Sequence, residues 1–382
     1  MLQTPNTRYY SPDHEAFRAT VRRFFETEVA PHVNEWDEAG SFPRDLYRKA
    51  ADVGLLQLGF PEAYGGISCD AFFRMILCEE RAWGGSGGVA SGLFSHTIGA
   101  PPIAVAGSDE LKARVLPGIL SGEKIAALAI TEPSGGSDVA QLTTTARREG
   151  DHYVVNGGKL FITSGMRADY FTVAVRTGGP GAGGVSLLMI EGDTPGLTRL
   201  PLKKMGWWAS DTAELFFADC RVPASHLIGQ EGQGFAVLMR NFNHERLALA
   251  AAACGYARVC LHDALEWAAQ RRTFGKTLSQ HQVIRHKLVD MATRIEATRA
   301  MLDDLAARLD DGGSPVAQIA MVKNFATQTF QFCADQAVQI LGGMGFMRGT
   351  RVERLYREVK VMTIGGGAEE VMKDLIAKRL GV

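Results

Sequence analysis

Glu245 is the residue whose surroundings in the sequence point most directly to chemistry. On a helix it would share one stripe with Leu238, Phe242, Ala248 and Leu249, which are all apolar. A carboxylate on such a stripe is costly to bury unless it has a partner or a role. Burial would raise its pKa toward the range in which a carboxylate removes protons near neutral pH. Glu245 is therefore a candidate general base; the alternative is a structural carboxylate paired with a neighbouring cation.

A glycine-rich run near the C-terminus is the second candidate region. Positions 364–370 read IGGGAEE, so Glu369 and Glu370 follow Gly366 by three and four residues. Either acid is an alternative base. Acidic residues also suit the first turn of a helix, because they complement the helix dipole. We therefore expect Glu369 and Glu370 to begin the last helix.

Four further segments carry chemistry only in combination. By itself, 129–138 (AITEPSGGSD) is a β-turn beside an ordinary strand, and 156–165 (NGGKLFITSG) is a strand with turn residues. The segments 271–282 (RRTFGKTLSQHQ) and 339–346 (QILGGMGF) would each be a helix boundary with solvated basic or small residues. Arginine forks suit a pyrophosphate, and glycine lets the backbone approach one closely.

The elements that must position these residues form three blocks. Ser11-Pro12-Asp13 predicts a helix start, with Pro31 ending or bending that helix. Further N-terminal helices are predicted at 43–53, 69–82 and 109–119. Short β-rich runs predict an antiparallel β-domain with strands at 152–155, 170–176, 184–190 and 213–217, and Asn156-Gly157 is among its turns. Long helices are predicted at 235–271, 281–309 and 315–341. The fold class is α+β, with domains at 1–123, 124–230 and 231–382.

Composition narrows the class of protein. The 382 residues carry a net charge of −1, so no global field favours nucleic acid or an anionic membrane. Six scattered cysteines without a CxxC pair predict neither a zinc site nor a disulfide framework, and no other cluster has metal-ligand spacing. The N-terminus lacks the apolar region of a signal peptide, and no apolar run predicts a transmembrane helix. We expect a cytoplasmic protein without membrane insertion.

Taken in order, these segments resemble the acyl-CoA dehydrogenase family over nearly the whole chain. The set also includes KMGWWASDTAELFF at 204–217 and HER at 244–246. The resemblance implies a helical domain, a β-domain and a C-terminal four-helix bundle. It also implies FAD bound without a covalent link, a homotetramer built as a dimer of dimers, and a place in fatty acid β-oxidation. The implied partners are an acyl-CoA substrate and electron-transferring flavoprotein.

The resemblance assigns the flavin site to two groups of residues. Along the strands it implies contacts from Leu128, Ile130, Thr131, Phe161 and Thr163, with Ser137 near both cofactor and acyl chain. Apolar faces and a few polar edge partners suit a flat aromatic cofactor. The second group would reach the FAD of the neighbouring subunit or close the site, and consists of Arg271, Thr273, Phe274, Gln282, Gln339, Gly342, Gly343, Ala368 and Glu370.

The catalytic position is where this sequence departs from much of the family. Many members carry their glutamate at the position of Gly366, whose N–H is implied to hold the thioester oxygen together with an FAD ribityl hydroxyl. Isovaleryl-CoA and long-chain acyl-CoA dehydrogenases instead carry a glutamate just before an arginine on a bundle helix, and Glu245-Arg246 matches that pattern. Phe242, Asn243 and Arg246 are implied substrate contacts.

The function that these features predict is α,β-dehydrogenation of an acyl-CoA to a trans-2-enoyl-CoA, with Glu245 as general base and flavin N5 as hydride acceptor. Several alternatives stay open, because function belongs to the site and not to the fold. They are a flavin monooxygenase or nitroalkane-type oxidase, a dehydrogenase of acyl carrier protein thioesters, and a non-catalytic flavin or acyl-CoA binding protein.

Overall fold

The structure, a computed structural model, describes residues 8–382. Eight helices come first, as predicted for the N-terminal region, and one sheet follows. The helices are α1 (Pro12–Phe24), α2 (Val33–Ala39), α3 (Asp45–Asp52), α4 (Ala71–Glu80), α5 (Gly87–Leu93), α6 (His96–Gly99), α7 (Pro101–Ala106) and α8 (Asp109–Leu120).

The first helix begins where the sequence predicts. The Ser11 hydroxyl accepts a hydrogen bond from the His14 N–H, and Pro12 occupies the first helical position. The α-helix ends at Phe24, before Pro31. A π-helical turn (Phe25–Val29) and a 3₁₀ turn (Ala30–His32) carry the chain into α2. Because proline cannot donate a backbone hydrogen bond, the helical ladder cannot pass through it unbroken.

The sheet has eight strands in the order β6-β7-β3-β2-β4-β5-β8, with β1 paired to β4. The prediction of an antiparallel domain holds for most pairs, but β1 runs parallel to β4, and β2 meets β4 at one parallel bridge. The chain between β1 and β4 contains a whole hairpin, which is long enough for a parallel return. The strands are β1 (Ala126–Ala129), β2 (Thr145–Glu149), β3 (His152–Thr163), β4 (Tyr170–Arg176), β5 (Val185–Glu191), β6 (Leu197–Pro201), β7 (Thr212–Pro223) and β8 (Leu227–Ile228).

The predicted turn at Asn156-Gly157 is wrong, because β3 runs straight through it. The pairing of β3 with β7 shifts register between Val155 and Gly157, which makes the site a β-bulge. Gly157 has φ +139°, and a Cβ atom there would lie 2.7 Å from the Thr144 Cα. The glycine therefore permits a close strand approach and not a chain reversal.

The C-terminal block is a bundle of long helices, as the resemblance implies. α9, α10, α11 and α13 pack around one apolar core, and α14 lies on α11. The core continues into α4, because Gly255 of α9 lets the Glu79 backbone come within 2.3 Å of where a Cβ would stand. The elements are α9 (Gly234–Gln270), β9 (Arg272–Thr273), β10 (Lys276–Thr277), α10 (Gln282–Asp310), α11 (Val316–Leu341), α12 (Gly343–Phe346), α13 (Arg351–Ile364) and α14 (Glu369–Leu380).

Within residues 8–382, no single helix has the length and hydropathy needed to cross a membrane. One bent pair, 87–93 with 96–106, passes the same test by length and composition only.

Candidate active site

A cavity of about 640 Å³ lies between the N-terminal helices, the sheet and the bundle. Side chains of α4 and α9 line much of it. Thr163 closes it from the sheet, and Gly365 and Gly366 close it from the turn after α13. Of the residues that the sequence singled out for chemistry, Thr163, Glu245 and Gly366 therefore meet at one cavity.

The Glu245 carboxylate is held in the cavity wall without a hydrogen-bond partner. Its Oε2 atom is buried and has no donor among residues 8–382. Burial raises the pKa of Glu245 to about 7, and the Arg246 guanidinium lowers it only in part. The alternative of a carboxylate paired with a cation receives no support, since Glu245 forms no ion pair with a described residue. At neutral pH the group can both accept and return a proton.

Arg246 connects the helix that carries Glu245 to the glycine turn. Its Nε donates to the Gly366 carbonyl oxygen at 3.1 Å, and its guanidinium lies 5.7 Å from the Phe242 ring centroid. Gly366 has φ +68° and Gly367 has φ +103°, conformations that favour glycine. The Gly366 carbonyl therefore has a fixed partner, which also restrains the adjoining N–H groups.

The far side of the same turn is held by α11, which sequence reasoning missed. The Lys323 side chain is fully buried, and its Nζ donates to the Gly367 carbonyl at 2.8 Å and the Thr363 carbonyl at 3.3 Å. Asn324 donates to the Glu369 carbonyl at 3.0 Å. The available signal was Lys323 itself, which on a helix shares a stripe with the apolar residues Ile319, Ala320, Ala326 and Phe330.

Glu369 and Glu370 begin α14, as expected, and do not line the cavity. Glu369 accepts hydrogen bonds from Lys373 at 2.6 Å and Gln328 at 2.8 Å. Glu370 is exposed. The geometry therefore favours Glu245 over both as the base.

Phe161, one of the strand residues assigned to the flavin, presents an exposed aromatic ring. The Phe161 side chain is 65% exposed, and its φ of +63° accompanies a register shift between Lys159 and Ile162. The neighbouring Leu160 N–H donates to the Thr131 carbonyl at 2.7 Å, which brings the two segments together. A non-glycine residue in this backbone region is uncommon and is found at functional sites.

A buried ion pair fixes these segments to each other. Lys159 Nζ lies 2.8 Å from Glu132 Oε1 and donates to the Ile130 carbonyl at 3.0 Å. The lysine and the hydrogen bonds from the Thr144 and Thr143 N–H groups oppose the effect of burial and hold the pKa of Glu132 at about 2. The sequence contained both residues in its motifs, but gave no sign of their pairing.

The second predicted flavin group lies on the bundle surface, away from the cavity lining. Phe274 is 97% exposed with φ +48°, and the Arg271 side chain binds no residue within 8–382. Gln282, Gln339, Gly342 and Gly343 are exposed, and a Cβ at either glycine would meet nothing within 4 Å. Thr273 faces His281 Nε2 at 3.1 Å.

The remaining predicted contacts do not line the cavity. Leu128 and Asn243 are half-buried, Ile130 is buried and Ser137 is exposed, and Ala368 precedes α14. His244 and Trp207, which lie in the segments 244–246 and 204–217, do line the cavity. Burial and the Arg74 guanidinium lower the pKa of His244.

One cluster with metal-ligand geometry was not foreseen. Single ligand atoms of His262, Asp263 and Glu266 lie within 4.8 Å of one another. Asp263 already binds Arg351 through both oxygens, and the His262 ring packs edge-on against Trp83. The cluster therefore reads as a surface ion-pair network.

The residues present fit a flavin. The exposed Phe161 ring supplies an apolar face for a flat cofactor. Thr163 at the cavity and the open backbone at Gly342 and Gly343 supply polar groups for its edges. Exposed Phe274 and unpaired Arg271 are suited to an adenine ring and a phosphate.

Comparison with known proteins agrees with this arrangement along the chain. Models of the acyl-CoA dehydrogenase N-terminal, middle and C-terminal domains match residues 11–123, 127–220 and 232–381. The long-chain specific acyl-CoA dehydrogenase of Sus scrofa mitochondria is 37% identical over 377 residues, covering 98% of this chain and 87% of that protein.

Solved structures show the same likeness in three dimensions. A probable acyl-CoA dehydrogenase from Mycobacterium abscessus is 47% identical with a TM-score of 0.96, covering 98% of this chain and all of that one. A chain from a structure described as the electron transferring flavoprotein of Acidaminococcus fermentans is 34% identical with a TM-score of 0.93, covering 97% and 98%. This chain therefore belongs to the acyl-CoA dehydrogenase family, whose members are flavoproteins.

Proposed function

We propose that the protein is an FAD-dependent dehydrogenase that converts an acyl-CoA thioester to its trans-2-enoyl-CoA, with Glu245 as the general base. The observation that carries this proposal is the unpaired Glu245 carboxylate in a cavity that Gly366 also lines. When bound, the flavin would supply a hydride acceptor for the substrate β-carbon. The rest of the reaction falls to the side chains and backbone of this chain.

The first task is to make the α-proton acidic enough to leave. The Gly366 N–H is the proposed donor to the thioester oxygen, and Arg246 and Lys323 hold the turn that presents it. Such a donor stabilises the negative charge that develops as the α-carbon loses its proton.

The second task is to receive that proton. The pKa of Glu245, raised by burial to about 7, suits a base that must be ionised in the free enzyme and still bind a proton firmly. Leu247, Ala248 and Leu249 line the same cavity and give the carboxylate apolar neighbours. No other carboxylate lines the cavity within residues 8–382.

We infer that the residues described above would hold FAD. Phe161 and Thr163 would meet the ring system, and Arg271, Thr273, Phe274, Gln282, Gln339, Gly342 and Gly343 would meet the FAD of a neighbouring subunit. We infer a homotetramer built as a dimer of dimers, in the cytoplasm, that passes electrons to electron-transferring flavoprotein. One similar chain comes from the structure described as the electron transferring flavoprotein of Acidaminococcus fermentans, which supports that choice of acceptor.

The test is an anaerobic titration of the purified holoenzyme with a panel of acyl-CoAs, followed by visible absorbance. The wild type should lose the oxidised flavin band. Glu245→Gln should retain bound FAD but be reduced about 10²–10⁴-fold more slowly, which is the usual contribution of a general base. Glu369→Gln is the matched control and should behave as wild type.

Equal bleaching in wild type and Glu245→Gln would refute Glu245 as the base. If no acyl-CoA bleaches the flavin, the dehydrogenation proposal itself fails. The same acyl groups on acyl carrier protein would then separate a carrier-protein dehydrogenase from monooxygenase and binding functions.

A further inference from the structure

Arg81 is a cavity-facing arginine that has no anionic partner. It follows α4 in the 3₁₀ turn Arg81–Gly84 and lines the cavity. Its Nε is buried without a hydrogen-bond acceptor, and its side chain forms no hydrogen bond or ion pair with residues 8–382. The guanidinium carbon lies 5.7 Å from the Phe94 ring centroid. A cation–π contact offsets only part of the cost of removing a cation from water.

Three buried acids of the surrounding elements are engaged with other partners. Glu79 and Glu80 both bind Arg18, at 3.1 and 3.0 Å. Glu358 accepts backbone N–H bonds from the start of α5, at 2.8 and 3.3 Å. The described residues therefore leave the charge of Arg81 available to something that enters the cavity.

Arg81 lies beside a part of α9 that is well separated along the helix from the proposed base. It is close enough to Tyr256 to lower the pKa of that phenol against the larger effect of burial. Tyr256 is on the same helix as Glu245, eleven residues further on, which is about 16 Å along a helix axis. Within residues 8–382, Arg246 is the only charged group that affects the pKa of Glu245. Arg81 therefore belongs to the end of the cavity that a substrate's far end would reach.

Once a substrate fills the cavity, the unpaired charge of Arg81 determines which acyl ends the cavity accepts. Water can solvate Arg81 while the cavity is open, but an acyl chain that fills it displaces that water. A hydrocarbon end would leave the guanidinium without a partner, whereas an anionic end would form charge-assisted hydrogen bonds with it. A site with such a group rejects the analogue that cannot pair with it.

We propose that the substrate is an acyl thioester whose far end carries a carboxylate, and that Arg81 binds this carboxylate. The inference rests on the proposed dehydrogenation and names its substrate class. The phosphates of coenzyme A are the other anions available to an arginine, but they are common to every acyl-CoA. A pair of substrates that differ only at the acyl end therefore isolates the effect of the carboxylate on kcat/KM from that of the phosphates.

The experiment compares kcat/KM for the CoA monothioester of a dicarboxylic acid with that of its ω-methyl ester, over a series of chain lengths. At its best length, wild-type holoenzyme should prefer the free acid by about ten-fold or more. Arg81→Met should abolish this preference by slowing the free acid while the ester is unchanged or faster. Arg81→Lys should keep part of it. Arg74→Met, which removes a cavity arginine near His244, should keep all of it.

Three results would overturn the proposal. Wild type could favour the ester at every length, Arg81→Met could slow both substrates equally, or Arg74→Met could be the variant that loses the preference. If Arg81→Met does not fold, comparing kcat/KM for the free acid and the ester in wild type and in Arg81→Lys still tests the proposal. Flavin reduction by unsubstituted acyl-CoAs alone would refute the carboxylate and leave dehydrogenation intact, whereas no reduction by any thioester would refute dehydrogenation.

Discussion

Arg246 Nε donates to the carbonyl oxygen of Gly366 across 3.1 Å, so the residue after the proposed base holds the turn that presents the proposed oxyanion donor. Two elements far apart in sequence, α9 and the turn before α14, are thereby set in one geometry. A single side chain influences both the proton acceptor, through its charge, and the donor, through its hydrogen bond.

The pH dependence of catalysis should follow Glu245. The carboxylate must be ionised to accept the α-proton, and its pKa is raised to about 7. We expect kcat/KM to rise with pH and level off above this value, with a tenfold loss for each pH unit below it. Arg246→Met removes the cation that lowers this pKa, so the rise of kcat/KM should occur at higher pH. Lys373→Met, a surface control on α14, should leave it in place.

The same raised pKa predicts that Glu245 destabilises the fold in alkaline solution. The folded state holds the proton more tightly than the unfolded chain, so ionisation costs stability as pH rises from about 4.5 through 7. Glu245→Gln should therefore raise the unfolding free energy at pH 8.5 by up to about 3 kcal/mol, and by much less at pH 5. Chemical denaturation at the two pH values measures the difference. A gain that is equal at both would contradict the assigned pKa.

The sequence predicted the long helices of the bundle and a carboxylate on a buried apolar stripe at Glu245, because both depend on local periodicity. A carboxylate on the apolar stripe around Glu245 can be recognised without any tertiary contact. The parallel pairing of β1 with β4, the bulge at Gly157 and the contacts of Lys323 could not be predicted in this way. Each depends on a contact between segments distant in sequence, for which a single sequence contains no direct signal.

Lys323→Met tests whether the glycine turn needs its support from α11. The variant loses hydrogen bonds to the carbonyls of Thr363 and Gly367. Because a shift of about 1 Å in a positioned group can cost on the order of 10²-fold in rate, we expect kcat to fall 10- to 100-fold while FAD remains bound and KM changes little. Lys360→Met, an exposed lysine on α13, is the control. Proportional losses in kcat and FAD content would show a structural role only.

Lys159→Met should disrupt the flavin-facing strands. It leaves the Glu132 carboxylate buried without its cation, which typically costs about 3–5 kcal/mol of stability. Glu132 has a depressed pKa, so its contribution is present above about pH 4.5 and is lost as the pH falls toward 2. The variant should therefore have a lower Tm at pH 7, a smaller further loss on acidification, and weaker FAD binding. Lys203→Met, at an exposed lysine before β7, should match wild type in all three measurements.

Phe274→Ser tests whether the bundle surface completes a flavin site in a second subunit. The ring is 97% exposed, and its nearest ring, His281, lies 6.4 Å away, so removing it should leave the Tm of the FAD-free chain unchanged. An aromatic residue held at φ +48° gains nothing for the isolated chain, since the left-handed backbone costs about 1–2 kcal/mol. If the ring stacks on the adenine of a neighbour's FAD, the variant should release FAD at protein concentrations where wild type retains it.

Flavin fluorescence on serial dilution, with sedimentation velocity on the same samples, measures FAD release and subunit assembly together. Leu380→Ser, at an exposed apolar residue of α14, is the control. Identical dilution curves for Phe274→Ser and wild type would refute the shared site, because an exposed ring that contacts no cofactor has no other means of affecting FAD retention.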